Sequence, residues 1–472
     1  MSSMTSKKLL GKSFILLWLS ETAFDIGSAL MGFALGVWVF EKSGSVQQFS
    51  WAILSSAVPA LLSIPFAGMM ADRFDRRWVI ASCDFLAVLM VVIVALLVFN
   101  QMLEVEHLYI VGAVGGVIGA IRNPSYHAAV AQIVPHDRLT QANGLISGTQ
   151  GVLQIGAPLV AGFLLASWGM VGIMIIELFL SVAGALAVFA ALTSARHAIR
   201  GVQNDKPVRL FEGIHESFAS VAQYFRQHSL MIGLAVYILI QEALLVLAST
   251  MLTPLILTGH GSETLGIVMT LGAVGGVIGA FTLAATNPKA GLMRWVLIAD
   301  VALAFFVMLA GIVREPALWC ICAFGAFAFG GVSEGCSNAL WMRKVPKDRQ
   351  GSVFAAVGAA NLVIMCIVML TGSTLVEQFF EPLMMPGGAL ADSVGEWLGV
   401  GKGRGVALLF VLAGAIFAVV SMVALLHPRL TRLDELVPDQ AKPDGDQNAD
   451  EASDIPESAS PALVPAQASS RP

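Results

Sequence analysis

The pentapeptides VPHDR (Val134–Arg138) and VPKDR (Val345–Arg349) stand a little over 210 residues apart, and that interval decides how the chain is built. A second pair keeps it: Arg77-Trp78-Val79 with Asp84 just downstream, and Arg294-Trp295-Val296 with Asp300 just downstream. Weak internal symmetry of this kind is what a duplicated membrane protein leaves in its sequence. Both pairs sit between or beside apolar runs. Twelve runs of about 20 residues, each able to cross a ~30 Å hydrocarbon core, are readable, the first at 13–40 and the last at 404–426. The fifth and sixth, 145–168 and 170–192, abut. The interval maps runs 1–6 onto runs 7–12. The expected fold is an all-α membrane protein, twelve transmembrane helices in two pseudo-symmetric six-helix halves.

Composition agrees. Residues are 57% hydrophobic and 12% charged, about half the charge of a soluble domain. The formal net charge of −5 is dominated by the acidic C-terminal stretch and points to no nucleic acid. Lys7, Lys8 and Lys12 precede run 1, Arg73, Arg76 and Arg77 follow run 2, and Arg343, Lys344, Lys347 and Arg349 separate runs 10 and 11. The alternate loops hold few basic residues, so both termini are expected in the cytoplasm. Run 1 is too long for a signal peptide and is kept as a helix. The halves are expected at 1–192 and 229–433. Between them, the polar connector 193–228 carries Leu210, Phe211, Ile214, Phe218, Val221 and Phe225 at helical spacing, as an interfacial amphipathic helix would. Residues 434–472, acidic and rich in Pro, Ala and Ser, should form a disordered cytoplasmic tail. The longest outer loop is expected at 377–403. The five cysteines fall inside apolar runs and read as small packing residues, with no metal site.

GAVGGVIGA occurs twice, at Gly112–Ala120 and Gly272–Ala280. Its separation of 160 residues pairs run 4 with run 8, against the half-repeat, so the echo is not the trace of the duplication. Each copy overlays two GxxxG pairs, and close helix packing explains it without a ligand.

After run 2 comes GMMADRFDRR, Gly68–Arg77. Here the chain resembles the major facilitator superfamily, whose loop between helices 2 and 3 carries a G-x-x-x-D-R-x-x-R-R signature. The resemblance implies that Gly68, Asp72, Arg73, Arg76 and Arg77 form a latch on the cytoplasmic face. The counterpart at Ala285–Gly291 has decayed to ATNPKAG, which makes any latch asymmetric. ALGVWVFEKSGS (Ala34–Ser45), AQIVPHDRLTQANGL (Ala131–Leu145), WMRKVPKDRQGSVFA (Trp341–Ala355) and GKGRGVALLFVLAG (Gly401–Gly414) look like the type-3 drug–proton antiporter branch, which includes macrolide-efflux and siderophore-export proteins. GTQGVLQIGAPLVAG (Gly148–Gly162) is similar to the glycine–proline antiporter motif, with Ala157 interposed. Gly156, Pro158 and Gly162 form a candidate hinge there, and a simple proline kink is the alternative. GVGKGRG (Gly399–Gly405) lacks phosphate-loop spacing, so no nucleotide is expected.

Ionisable residues inside a span cost roughly 2.5–3.5 kcal/mol each at a helix centre and are functional or paired by default. Run 1 has Glu21 and Asp25, run 4 Arg122, run 7 Glu242 and run 10 Glu334. The resemblance makes helices 1, 4, 7 and 10 the cavity lining. Asp25, Glu21, Arg122, Asn123, Glu242, Glu334 and Asn338 are therefore the expected proton-coupling and substrate residues, because a carboxyl kept from water can bind and release a proton near neutrality. A static Arg122–Glu ion pair that fixes helix packing is the alternative. Asp84 and Asp300 are expected to brace the Arg77 and Arg294 regions. Glu177 has no assignment. Met31, Phe33, Trp38 and Tyr237 would give the cavity a mixed lining. The expected activity is alternating-access export of an amphiphilic organic compound by proton antiport in a cell (inner or plasma) membrane, by a monomer without a cofactor. It is not an enzyme. Siderophore export, with Arg122, Asn123 and Asn338 holding an anionic chelator, is the runner-up; a transporter-derived sensor or scaffold is the reading from another class.

Overall fold

The structure, a computed structural model, describes residues 11–135, 138–194, 223, 225–226, 229–288 and 290–437. The expected connector helix and disordered tail lie almost wholly outside the described residues. The elements of the first half are α1 (Lys12–Ser43), α2 (Val46–Arg73), α3 (Arg76–Phe99), α4 (Val105–Ile133), α5 (139–168) and α6 (170–194). Those of the second are α7 (Ser229–Leu257), α8 (Ser262–Thr286), α9 (Leu292–Ile312), α10 (Pro316–Lys344), α11 (Lys347–Leu375) and α12 (Arg404–Leu426). No strand occurs among the described residues.

The boundary between α5 and α6 is one residue. Leu139–Ser194 is a 56-residue helical run, which unbroken would extend about 84 Å, far beyond a bilayer core. Gly169 interrupts it with φ 66° and ψ −171°, a conformation open to glycine and strained for other residues. The chain turns back there, which lets Ala161 of α5 and Ile173 of α6 share one buried cluster with Leu30 and Ala34 of α1. The other boundaries have equally local causes. Gly44 ends α1 in the left-handed region at φ 62°, and Ser45 starts α2 by accepting from the Gln48 N–H at 3.1 Å. Glu104 and His107 form a reciprocal cap at the start of α4.

Pro124, Pro158 and Pro254 lie inside α4, α5 and α7. Spanning helices tolerate such breaks when neighbours satisfy the freed carbonyls. The expected loop at 377–403 begins later than expected. The α11 helix runs on through a π-helical turn, Val376–Phe380, and a further turn to Met384, and Val394–Leu398 is also helical. Glu381 anchors the return by accepting from the N–H groups of Gly403 (2.6 Å) and Gly405 (2.9 Å), at the start of α12.

The twin nonapeptides both pack helices, but with opposite glycines. On α4, Gly112 and Gly116 lie against Ser55 and Ser56 of α2, while nothing lies within 4 Å of where a side chain on Gly115 or Gly119 would begin. On α8 the tightest contacts belong to Gly275 and Gly279, which meet the backbone of Phe324 and Ala328 on α10.

The two halves meet at one end, the far end, where α1 passes into α2. Gly162 of α5 crosses Gly266 of α8 so closely that a Cβ on either would lie 2.6 Å from a carbonyl oxygen of the other helix. Glu377, in the π turn, accepts from Ser45 Oγ at 2.7 Å and from the Gln47 N–H at 2.9 Å, tying the second half to the start of α2. Gly151, Gly148 and Gly144 precede Gly162 by close to whole turns and lie on its face. No described residue stands within 4 Å of where their side chains would begin. The face of α5 that grips the other half at the far end is thus open toward the near end, the one that holds Lys12.

Candidate functional site

Each half has a buried polar cluster joining its first, third and fourth helices. In the first half, Arg122 of α4 is the centre. Its Nε donates to Asp84 Oδ1 of α3 at 2.6 Å and its Nη1 to Glu21 Oε2 of α1 at 2.5 Å. The Phe24 ring covers the guanidinium at 4.3 Å. Glu21, Asp84 and Arg122 are each at most 5% exposed. One cation held between two anions ties three helices together.

The second half does the same work with neutral donors. Asp300 of α9, fully buried, accepts from Tyr237 Oη at 2.7 Å and from Gln241 Nε2 at 3.0 Å, both on α7. Gln241 also donates to Ser333 Oγ of α10 at 2.7 Å, and Tyr237 Oη lies 2.9 Å from Ser421 Oγ of α12. Ser333 stands at the place of Arg122, 211 residues on.

A second set of polar residues faces open space. Asp25 is half-buried and lines a cavity of about 400 Å³ with Ala29 of α1 and Gln150, Leu153, Gln154, Ala157 and Pro158 of α5. Glu242 is half-buried, and Asn123, Glu334 and Asn338 are exposed. Glu334 acts electrostatically on Glu242. The depths match in pairs: Asp25 and Glu242 each stand about 20 Å from the near end of their helices, Asn123 and Glu334 about 15 Å. Polar side chains so deep in a span face a pathway or one another, because lipid solvates neither.

The structure thus divides the sequence-derived set. Asp25 lines the cavity, Glu242 is half-buried and Asn123, Glu334 and Asn338 are exposed, whereas Glu21 and Arg122 are locked together in the buried cluster. Two expectations need correction. Asp84 does not brace Arg77, and Asp300 does not brace Arg294: Asp84 takes Arg122, Asp300 takes Tyr237 and Gln241, and Arg294 is exposed. Each carboxylate sits about two turns along its helix from the arginine, within reach of a neighbouring helix instead. Tyr237, expected in the cavity, is spent on Asp300. Gln150 and Gln154 were not singled out; polar residues near the middle of a proline-containing span were the available signal.

Of the latch motif, the side chains of Gly68, Asp72 and Arg73 lie outside the described residues. Arg76 opens α3. Arg77 is ion-paired with Asp75, which caps α3 by accepting from the Arg77 N–H at 3.1 Å. That donor set holds the Asp75 carboxyl below the usual carboxylate range. In the candidate hinge, Pro158 offers its carbonyl at the Gly266 crossing, Gly162 is the crossing itself, and Gly156 meets nothing within 4 Å.

Ten helices among the described residues are long and apolar enough to cross a membrane. Gly169 divides one of these, and α2, of 28 residues, completes twelve. Two six-helix halves packed together at the far end, with paired polar positions at mid-depth, define a polytopic helical membrane protein. Residues 17–370 match the Major Facilitator Superfamily, and the chain belongs to that family. Among curated proteins it is similar to macrolide efflux protein A of Streptococcus pyogenes, 26% identical over 175 residues, or 37% of this chain and 43% of that protein. It is also similar to the protein of that name from Enterococcus faecalis, 25% identical over 145 residues, or 31% and 45% of the two chains. The chain spans less than half the length of the curated relatives it matches. Among solved structures, the nucleoside transporter NupG is 15% identical with a TM-score of 0.62, over 88% of this chain and 99% of that one. A bacterial homologue of the lysosomal transporter Spinster, inward-facing and unoccupied, is 17% identical with a TM-score of 0.62, over 89% and 98%. At these identities the likeness is one of fold.

Proposed function

We propose that the chain is a secondary active transporter that exports an amphiphilic organic compound by proton antiport, with the two halves rocking about the mid-depth polar positions. The observation that carries this reading is Asp25. It is a carboxyl near the middle of a spanning helix, outside the hydrogen bonds of the Arg122 cluster, on a cavity of about 400 Å³. A cavity of that size suits a drug-sized ligand. In the orientation that the basic loops favour, the near end is cytoplasmic, and the parted α5 face makes this the inward-open state. Asp25 and Glu242 then meet the cytoplasm, where they would give up their protons as substrate binds. Closure of the near end would carry the substrate outward, and protons taken up from the other side would return on the same carboxyls.

The partial matches to macrolide efflux proteins support export and a bulky substrate. The cavity favours a neutral or cationic compound. Asp25 supplies negative charge there, and Arg122, the group that an anionic chelator would need, already holds Glu21 and Asp84. This weighs against siderophore export. The sensor reading depends on the tail, which lies outside the described residues.

The test is transport in proteoliposomes across an imposed pH gradient, with ethidium, a macrolide and a ferric siderophore as probes. Ethidium or the macrolide should move against its gradient as protons move the other way, and Asp25→Asn should uncouple the two. Movement indifferent to the pH gradient would rule out antiport, and gradient-driven movement of the siderophore alone would restore the runner-up.

A further inference from the structure

Glu177 takes no part in the scheme above, yet it is more deeply buried than Asp25. It is the one ionisable residue of α6 and is 6% exposed. Its Oε1 accepts from Ser181 Oγ, one turn along, at 3.2 Å. Its Oε2 has no hydrogen-bond partner among the described residues. That oxygen rests on Gly27 of α1, so closely that a Cβ on the glycine would overlap it. One turn above, Leu30 of α1, Ala161 of α5 and Ile173 of α6 close an apolar cluster.

The ionisable groups in the central turns of the packed helices are Glu21 and Asp25 on α1, Cys83 and Asp84 on α3, and Arg122 and Tyr126 on α4. The α5 segment brings none. Arg122 is the single cation of the set, and its Nε and Nη1 are given to Asp84 and Glu21. A carboxylate left in such surroundings without a cation is far more costly than a neutral acid.

A second observation stands beside the first. One turn from Glu177, toward the near end, Ser181 joins Ser20, Phe24, Asp84 and Arg122 in lining a void of about 10 Å³. That is the size of a single water site. Two polar atoms of the lining, Ser20 Oγ and Asp84 Oδ2, are buried without a hydrogen-bond partner among the described residues. A water there would satisfy both and reach Ser181.

We propose that Glu177 is a proton-binding site of the transport cycle, a neutral carboxylic acid in this conformation, linked through Ser181 and one water to Asp84 of the Arg122 cluster. This rests on the antiport reading. When the site discharges, the Ser181 hydroxyl first turns its hydrogen from Glu177 Oε1 to the water. The O–H bond of Glu177 then breaks as its proton passes to Ser181 Oγ, the Ser181 proton passes to the water and a water proton to Asp84 Oδ2, and Glu177 is left as the carboxylate. Asp84 becomes neutral, so Arg122 keeps one anionic partner where it had two, and the tie between α3 and α4 weakens. The α1 helix carries the signal to the cavity. Gly27 presses on Glu177 from one face, and Asp25, two residues earlier, looks into the cavity from another.

Glu177→Gln tests this in the full-length protein, since glutamine fills the same space and can still accept from Ser181. Two readouts are needed. In infrared difference spectra of the reconstituted protein, the C=O stretch of a protonated carboxyl should vanish in Glu177→Gln and persist in Asp25→Asn. In proteoliposomes, Glu177→Gln should lose ethidium accumulation driven by a pH gradient and keep ethidium exchange between two equal pools, which needs no net proton movement. An undiminished carboxyl band in Glu177→Gln, or gradient-driven accumulation at the wild-type rate, would overturn the proposal. If the wild-type protein ignores the pH gradient while the band is still lost in Glu177→Gln, the antiport reading fails and the proton site stands by itself.

Discussion

The two halves place a buried carboxylate at the same point, Asp84 on α3 and Asp300 on α9, and then satisfy it in different ways. The first half supplies a cation, Arg122, which needs a second anion, Glu21, beside it. The second supplies two neutral donors, Tyr237 and Gln241, with serine hydroxyls beyond them. The geometric task is common: one buried polar cluster holds three helices of a half together. The electrical result is not. The ionic cluster responds to a proton arriving or leaving, because every member's charge is held by the others. The neutral network holds Asp300 with uncharged donors alone. The first half thus holds its buried carboxylates by charge and the second by uncharged donors, while each half keeps a further mid-depth carboxyl, Asp25 and Glu242, outside its cluster.

The largest effect that would break this comparison is removal of the central cation. Arg122→Met strands two buried carboxylates and should cost about 3–5 kcal/mol, enough to abolish a monodisperse peak in fluorescence-detected gel filtration. The combination Glu21→Gln, Asp84→Asn, Arg122→Met removes the charges together and should restore the peak, since buried ionic triads are often replaceable by uncharged packing. Tyr237→Phe in the other half takes one donor from Asp300 and should cost about 1–3 kcal/mol, read as a lowered melting temperature. Equal losses for Arg122→Met and Tyr237→Phe would mean that the clusters are equivalent, and the asymmetry argued above would go.

The parts legible in the sequence were those fixed by local or periodic causes. Spans follow from apolar length, the break at Gly169 from a glycine between two abutting runs, and the halves from a repeated interval. Asp84 and Asp300 were recognisable as a pair by that same interval. Their partners were not. An arginine on the same helix is close in sequence, but the contact is decided by which helix packs alongside, and that is tertiary information. Glu177 was invisible for a related reason. Its meaning depends on Gly27 opposite, 150 residues earlier, and on the lack of any cation in between.

The twin nonapeptides give a sharper test at lower energy. Identical sequence packs through Gly112 and Gly116 on α4, and most tightly through Gly275 and Gly279 on α8. Alanine should therefore reverse its effect between copies. Gly116→Ala drives a methyl into the Ser56 carbonyl, and Gly279→Ala drives one into that of Ala328; each should cost about 1–3 kcal/mol. Gly115→Ala and Gly119→Ala meet open space, and Gly276→Ala meets nothing nearer than 3.7 Å. These three should be neutral, or gain up to about 1 kcal/mol from helix propensity. Thermal melting of the six single variants, with Gly275→Ala among the costly ones, would show the pattern.

The smallest effect separates the near-end loops. In the first half α3 is capped from its own loop, by Asp75, whose carboxyl also pairs with Arg77. In the second half the corresponding loop is ATNPKAG, and α9 is capped from elsewhere: Asp434, beyond α12, accepts from the Leu292 N–H at 2.5 Å. Lys344, at the end of α10, holds that segment by donating to the carbonyls of Asp434 (2.8 Å) and Val437 (2.5 Å). The loss of the acidic loop motif was thus offset by a contact between distant parts of the chain. Because Arg77 holds the Asp75 carboxyl below its usual range, Asp75 binds its proton more weakly folded than unfolded. Its stabilisation is fully present above the unfolded pKa of about 4 and fades as the pH falls through the lower folded value. The pair is partly solvated, so its share is at most about 1 kcal/mol. The melting temperature of Asp75→Asn should therefore lie slightly below wild type from pH 7 to about 5, with the gap closing below about 4. Equal melting temperatures at pH 7 would mean that Asp75 acts by its shape as a cap, as asparagine also can, and that its ion pair with Arg77 contributes nothing.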